Sequence, residues 1–192
     1  TQTATEYWQR HGSLVHTDTK GNDLLQPDTV RIYLWSSSQH FADPNLAVPV
    51  RGVCKQYNNI VRTTMLFRAA LVAMDRWVTD GLEPPASQVP NVKDGSLIEF
   101  DSWQSQFPDI PGVLAPLGPN RLAPYDFGPD ASAGLLTLQP PVRNSGDYTI
   151  LVPAVDQDGN EIAGVRAPMV QAPLGTYTGW NLRDRGHGEG YM

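Results

Sequence analysis

Val30-Arg31-Ile32-Tyr33-Leu34-Trp35-Ser36-Ser37-Ser38-Gln39-His40 decides how this chain is read. Its first half is a strand, because Val, Ile, Tyr, Leu and Trp suit a pleated, packed surface. Side chains alternate along a strand, so Ile32 and Leu34 share one face and Tyr33 and Trp35 the other. Both faces are apolar apart from Arg31, the pattern of a parallel strand covered on both sides. Three serines and a glutamine then carry the chain off the strand end to His40. Ligands of open α/β sheets sit beyond the carboxyl ends of strands. A histidine on a loop there is a candidate general base; the competing reading is an ordinary surface histidine on a turn.

The rest of the sequence bounds what such a site could belong to. The 192 residues suffice for one domain with a real core, or for parts of two. A hydrophobic content of 40% with 18% charged residues is that of a globular chain, and 17 Gly with 17 Pro predict many turns. The net charge of −6, without a basic patch, argues against a nucleic-acid partner. No apolar run is long enough for a membrane span. Cys54 is the only cysteine, so no disulfide closes within the chain. It has no His or Cys at metal spacing and reads as a buried structural residue. The chain opens on Thr1-Gln2-Thr3-Ala4-Thr5, which is no signal peptide, and ends at Gly190-Tyr191-Met192. It reads as a fragment or processed piece.

Upstream of the strand, Thr5 can cap a short helix with Glu6 in its first turn, where a carboxylate favours the helix dipole. That is the structural reading of Glu6. Lys20-Gly21-Asn22-Asp23 is a turn. Downstream, Phe41 to Ile60 forms a long loop, of the kind that usually lines a site. Thr64 to Asp80 is the clearest helix. Leu66, Ala69, Ala70, Ala73, Met74 and Trp77 fall at helical spacing, Thr63 or Thr64 caps it, and Gly81 with Pro84-Pro85 stops it. Its Leu66, Ala70, Ala73 and Trp77 face is expected to pack on the strand Val30–Trp35, with Met74 and Trp77 in the core.

From Pro84 to Pro129 prolines are dense and no periodicity is visible. Gly134 to Gln139 reads as a short strand. Tyr148 to Val155 and Glu161 to Arg166 read as a β-hairpin around Asp156-Gln157-Asp158-Gly159-Asn160. That turn echoes a calcium loop, but it lies between strands and lacks the later bidentate Glu, so a hairpin turn without metal is the better reading. Tyr177 and Trp180 lie among glycines, either as a binding wall or as half-buried packing.

Serine and cysteine hydrolases need a nucleophile, a base, and an acid that fixes the tautomer of the base. In α/β-hydrolases these follow in the order Ser, Asp or Glu, His, with the nucleophile in Gly-x-Ser-x-Gly. That pattern is absent here. The later part of the order is present: an acid, a strand, a loop histidine and a terminal helix. Ser36, Ser37 and Ser38 are poor nucleophiles, lying on the same loop as the histidine that would activate them.

Several stretches in this order resemble one family. Thr5-Glu6-Tyr7-Trp8, Ser13-Leu14-Val15-His16-Thr17-Asp18, Val30-Arg31-Ile32-Tyr33-Leu34 with Gln39-His40, and Ala73-Met74-Asp75-Arg76-Trp77-Val78-Thr79-Asp80-Gly81 are similar to the C-terminal part of alpha/beta hydrolase domain-containing proteins. So are Val152-Pro153-Ala154-Val155-Asp156 with Asp158-Gly159-Asn160-Glu161, and Thr176-Tyr177-Thr178-Gly179-Trp180-Asn181. The resemblance implies an α/β fold: the C-terminal part of a hydrolase sheet over residues 1–83, with a Pro/Gly-rich β-hairpin extension over residues 84–192. It implies that His40 is the triad histidine and Glu6 the acid, with Asp18 as a competing carboxylate. The nucleophile would then lie outside this chain, on a missing N-terminal part of the hydrolase domain. Two functions follow. One is the C-terminal portion of a serine-type hydrolase acting on small-molecule esters without metal or organic cofactor. The other is a non-catalytic binding or structural module.

Overall fold

The computed structural model describes residues 1–41 and 48–188. Positions 42–47, with Pro44 of the long loop, and the Gly190-Tyr191-Met192 end lie outside the described residues. Strand β1 (Gln2–Thr3) runs parallel to β2 (Leu34–Trp35), with Gln2 opposite Leu34 and Thr3 opposite Trp35. The other edge of β2 is held by parallel bridges from Tyr33 to Gln88 and from Trp35 to Val165. Leu34 donates its N–H to the Gln88 carbonyl at 2.9 Å and accepts that of Val165 at 2.7 Å. The expected central parallel strand is therefore present, but shorter than Val30–Trp35. The reason lies in Arg31, whose guanidinium bonds the carbonyls of Asp28 at 2.7 Å and Val30 at 2.9 Å. Backbone acceptors satisfied by a side chain have no need of a ladder partner.

The two faces of β2 separate as alternation requires. Leu34 enters the main core with Tyr7, Trp8, Leu97, Trp103, Leu151, Val152 and Trp180. Tyr33 and Trp35 stack on each other on the opposite face, rings 6.0 Å apart, and Phe67 meets Trp35 edge-on at 5.7 Å. Phe67 belongs to α2 (Thr64–Asp80), whose bounds and αL stop at Gly81 are those expected. The packed stripe is narrower than expected. Leu66, Ala70, Ala73 and Trp77 are half-buried, while every other residue of α2 is exposed. Met74 is 56% exposed, so it is not core. Positions 66, 70, 73 and 77 lie within a narrow arc of the helix, and Ala69 and Met74 flank it. Trp77 lies under the Arg31 guanidinium, 5.0 Å from its ring.

The Pro-rich middle holds more order than its sequence suggests. Strand β3 (Leu97–Glu99) leads into α3 (Phe100–Gln106), whose Trp103 is fully buried. Phe100, Trp103 and Phe107 recur at i, i+3 and i+7 and stack into the core. Two-residue strands β4 (Tyr125–Asp126) and β5 (Val142–Arg143) pair antiparallel. The strand expected over Gly134–Gln139 does not form. Gly134 ends a 3₁₀ turn over Ala131–Ala133 at φ 82°, and Leu135 and Leu136 project into solvent. The chain does reverse at Asp156–Asn160, but its arms share only the antiparallel bridge Val155–Glu161. Strand β6 (Leu151–Pro153) instead pairs antiparallel with β3, and Val165 joins β2. The Asp156 carboxylate accepts the N–H groups of Asp158 and Asn160 and pairs with Arg166 at 2.8 Å. A short helix, Pro168–Gln171, buries Val170 beside Val61 and Ala167 in a second cluster. Among the described residues, no helix is long and apolar enough to cross a membrane.

Candidate active site

Glu6 reaches the site from α1 (Ala4–Gln9), a six-residue helix that buries Ala4, Thr5, Tyr7 and Trp8. Thr3, rather than Thr5, is its N-cap, and Glu6 stands at the third helical position. The carboxylate divides its two oxygens. Oε2 accepts the Thr3 N–H and the Thr3 hydroxyl, closing a capping box. Oε1 meets Nδ1 of His40 in a short hydrogen bond. The capping and orienting readings of Glu6 are therefore compatible, because each uses a different oxygen. Its side chain is 17% exposed, against 57% for that of His40. A carboxylate can only accept, so it fixes the Nδ1–H tautomer and leaves Nε2 as the basic nitrogen.

Thr5 adds a second tie between helix and loop. Its hydroxyl donates to the Gly179 carbonyl at 2.6 Å and accepts the His40 backbone N–H at 3.0 Å. Gly179 presses closely on this point: a Cβ there would fall 2.4 Å from backbone and side-chain atoms of Ala4. Asp18 is taken up by a turn elsewhere. Its carboxylate accepts the N–H of Lys20 and both the N–H and side-chain amide of Asn22, which hold it below the usual carboxylate range. The structure thus brings Glu6, and not Asp18, to His40.

The three serines between strand and histidine are buried. Ser36 donates its hydroxyl to the Ala163 carbonyl, and Ser38 to the Trp35 carbonyl at 2.6 Å. Ser37 adopts a left-handed backbone, φ 54°, unusual for a residue with a Cβ. Its N–H donates to the Glu161 carboxyl at 2.7 Å, and its hydroxyl accepts the Glu161 N–H at 2.8 Å. Asn59 donates to the carbonyls of both Ser37 and Thr178, at 2.7 and 2.8 Å. Burial pushes the Glu161 carboxyl up to about 8, against the opposing pull of the Ser37 N–H. The Tyr7 hydroxyl and Nε2 of buried His16 share a hydrogen bond of 2.7 Å. Burial raises the Tyr7 phenol, helped by the charges of Glu161 and Glu6, and lowers the His16 imidazole against the pull of Asp23. Both shifts favour the neutral form of each partner. Sequence reading missed Glu161, Asn59 and the Tyr7–His16 pair; Glu161 was visible only as the end of a turn motif.

His40 lines a cleft of about 430 Å³ together with Thr5, Asn59, Cys54, Trp180 and Arg183. Trp180 is both wall and core, since it is buried against Trp8, Trp103 and Phe107. Burial raises the Cys54 thiol, the reverse of what a thiolate nucleophile needs. Among the described residues, no group of three or more His, Cys, Asp or Glu side chains converges as a metal ion requires.

No curated protein and no solved structure matches the chain. A family model described as the alpha/beta hydrolase domain matches residues 3–191, so the chain, with its mixed helices and strands around a short parallel ladder, belongs to the alpha/beta hydrolase domain family.

Proposed function

We propose that the chain supplies the general base and its orienting acid to a serine-type hydrolase of small carboxylic esters, with His40 as base and Glu6 as acid. One observation carries this reading: Nδ1 of His40, on the loop that leaves a parallel strand, is bonded to the Glu6 carboxylate at the wall of a cleft. The sequence holds no Gly-x-Ser-x-Gly, and the hydroxyls of Ser36, Ser37 and Ser38 are buried in structural hydrogen bonds. The nucleophilic serine is accordingly assigned to polypeptide outside these residues. On the same reading, residues 1–83 are the C-terminal portion of the hydrolase core and residues 84–192 an extension packed on it.

The chemistry needs no metal or organic cofactor. The serine hydroxyl attacks the ester carbonyl while Nε2 of His40 takes its proton. Glu6 stabilises the imidazolium that forms and keeps Nε2 aimed at the reacting atoms. The imidazolium then gives the proton to the departing alcohol. Water attacks the acyl-enzyme with the same base, and the carboxylic acid leaves. In the protein carrying both parts, His40→Ala should lower turnover of a short-chain aryl ester by about four to six orders of magnitude, with circular dichroism unchanged. Activity within about tenfold of the parent would remove His40 from the mechanism. Saturable turnover by the 192-residue chain alone would overturn the assignment of the nucleophile.

A further inference from the structure

We propose that Glu161 is a positioning residue for His40, acting through the left-handed turn at Ser37. The inference rests on the hydrolase reading above and adds a group that contacts neither substrate nor the reacting atoms. The argument begins with the path of the chain. Strand β2 ends at Trp35, and five residues later His40 must lie over the first turn of α1. The positive φ at Ser37 belongs to that reversal. Left-handed backbone is strained for a residue with a Cβ, so neighbours have to hold it.

Glu161 is the neighbour that grips both polar groups of Ser37 on one side. Its carboxyl takes the Ser37 N–H at 2.7 Å and its own N–H reaches the Ser37 hydroxyl at 2.8 Å. Asn59 holds the remaining Ser37 carbonyl. Once these bonds are made, the Ser38 carbonyl accepts the Ala4 N–H at 3.1 Å and the His40 N–H reaches Thr5. The imidazole is thereby delivered to Glu6. Residue 161 is placed for this by its own surroundings. The Val155 bridge fixes its backbone, and Gly164, three residues on, runs 2.7 Å from the Leu34 carbonyl when a Cβ is built on it. The grip is thus tied to the strand that carries the loop.

A carboxyl is an expensive residue to bury. Burial holds Glu161 as the neutral acid at neutral pH, with Tyr7 of α1 the titratable group that senses it. What Ser37 requires is one carbonyl-type acceptor, which glutamine also offers. Alanine offers none.

The test uses the active protein with two readouts. In the first, Glu161→Ala should lower kcat on a short-chain aryl ester by about tenfold to a hundredfold, the effect of a small misplacement of a catalytic group, with KM within about twofold. Glu161→Gln should keep kcat within about threefold of the parent. Glycine adopts a left-handed backbone without strain. Glu161→Ala should therefore do less harm on a Ser37→Gly background, so the two substitutions should be non-additive. In the second readout, nitrogen-15 NMR follows the His40 imidazole, whose downfield Nδ1 proton reports the bond to Glu6. That signal should weaken in Glu161→Ala and persist in Glu161→Gln. Should Glu161→Ala fail to fold, Ser37→Ala, which removes the hydroxyl held by Glu161, must weaken the same signal. Additive effects with Ser37→Gly, or an unchanged His40 signal in folded variants, overturn the inference. A parent protein without ester turnover would sink the hydrolase reading alone, because the imidazole signal still answers for Glu161.

Discussion

The two helices α1 and α2 invert the usual relation between length and importance. Helix α2 has 17 residues, clear stop signals and a readable apolar stripe, yet every one of its residues keeps some exposure. Helix α1 has six residues, too few to be stable alone, and buries four of them. It meets β6, Gly12, Gly179 and the aromatic core at once, and it carries Glu6. Local sequence encodes α2, whereas tertiary contact creates α1. The group that faces His40 stands on the helix that cannot move without disturbing the core. A site built this way is rigid by construction, which is what orienting a general base demands.

Matched tryptophans give the strongest test of that contrast. Trp8 of α1 packs against Trp103 at 4.8 Å, Trp180 at 6.0 Å and Phe100 at 6.2 Å and is almost fully buried. Trp8→Ala should cost about 3–5 kcal/mol in urea unfolding. Trp77 of α2 is half-buried beneath Arg31, and Trp77→Ala should cost about half as much or less. Equal losses at the two positions would erase the distinction between the helices.

The same contrast explains what could be read from the sequence. The bounds of α2 were legible because Thr63, Gly81 and the apolar spacing are local signals. The parallel nature of β2 was legible from its two apolar faces, and the order acid, strand, histidine pointed to a carboxylate beside His40 without deciding between Glu6 and Asp18. The length of β2 was not legible, because it depends on where the Arg31 side chain folds back. Helix α3 had a signal in Phe100, Trp103 and Phe107, masked by the surrounding prolines. The roles of Glu161 and Asn59 had none. Their partners lie 124 and 22 residues away, at Ser37, and nothing local announces such a pairing.

A pH profile sharpens the comparison next. Glu161 has a folded value of about 8, raised by burial from an ordinary 4.5. Between these values the folded state keeps a proton that the unfolded chain has released. Stability is therefore full below about pH 4.5, as far as this group is concerned, and falls as pH rises towards 8. The loss at pH 7 is on the order of 3 kcal/mol. Glu161→Gln should flatten that slope in denaturant titrations at several pH values. An unchanged slope would mean that Glu161 does not carry the buried proton.

Backbone proximity supplies a third, somewhat smaller effect. At Gly179 an added Cβ would sit 2.4 Å from Ala4 and 2.5 Å from the Thr5 nitrogen, atoms that cannot rotate away. Gly179→Ala should cost about 1–3 kcal/mol by overpacking and weaken the Thr5 link to His40. At Gly81, which closes α2, a Cβ meets nothing within 4 Å, and only the left-handed φ of 68° opposes it. Gly81→Ala should then cost about 1 kcal/mol. A ranking with Gly81→Ala the more damaging would contradict the tight seating of α1.

The smallest effect probes the exposed side of α2 directly. Val78 is 81% exposed in the last turn of that helix. Valine loses side-chain freedom in a helix and alanine has none to lose, a difference of about half a kcal/mol at an interior position. Near the helix end, where the backbone frays, Val78→Ala should raise stability by a few tenths of a kcal/mol, or about 1 °C in Tm. The gain is expected because so little of the valine surface leaves water on folding. If Val78→Ala instead lowers Tm by several degrees, the valine is packed in solution. Helix α2 would then be held by contacts of the kind that hold α1, and the contrast between a locally encoded helix and a tertiary one would fail at its weaker end.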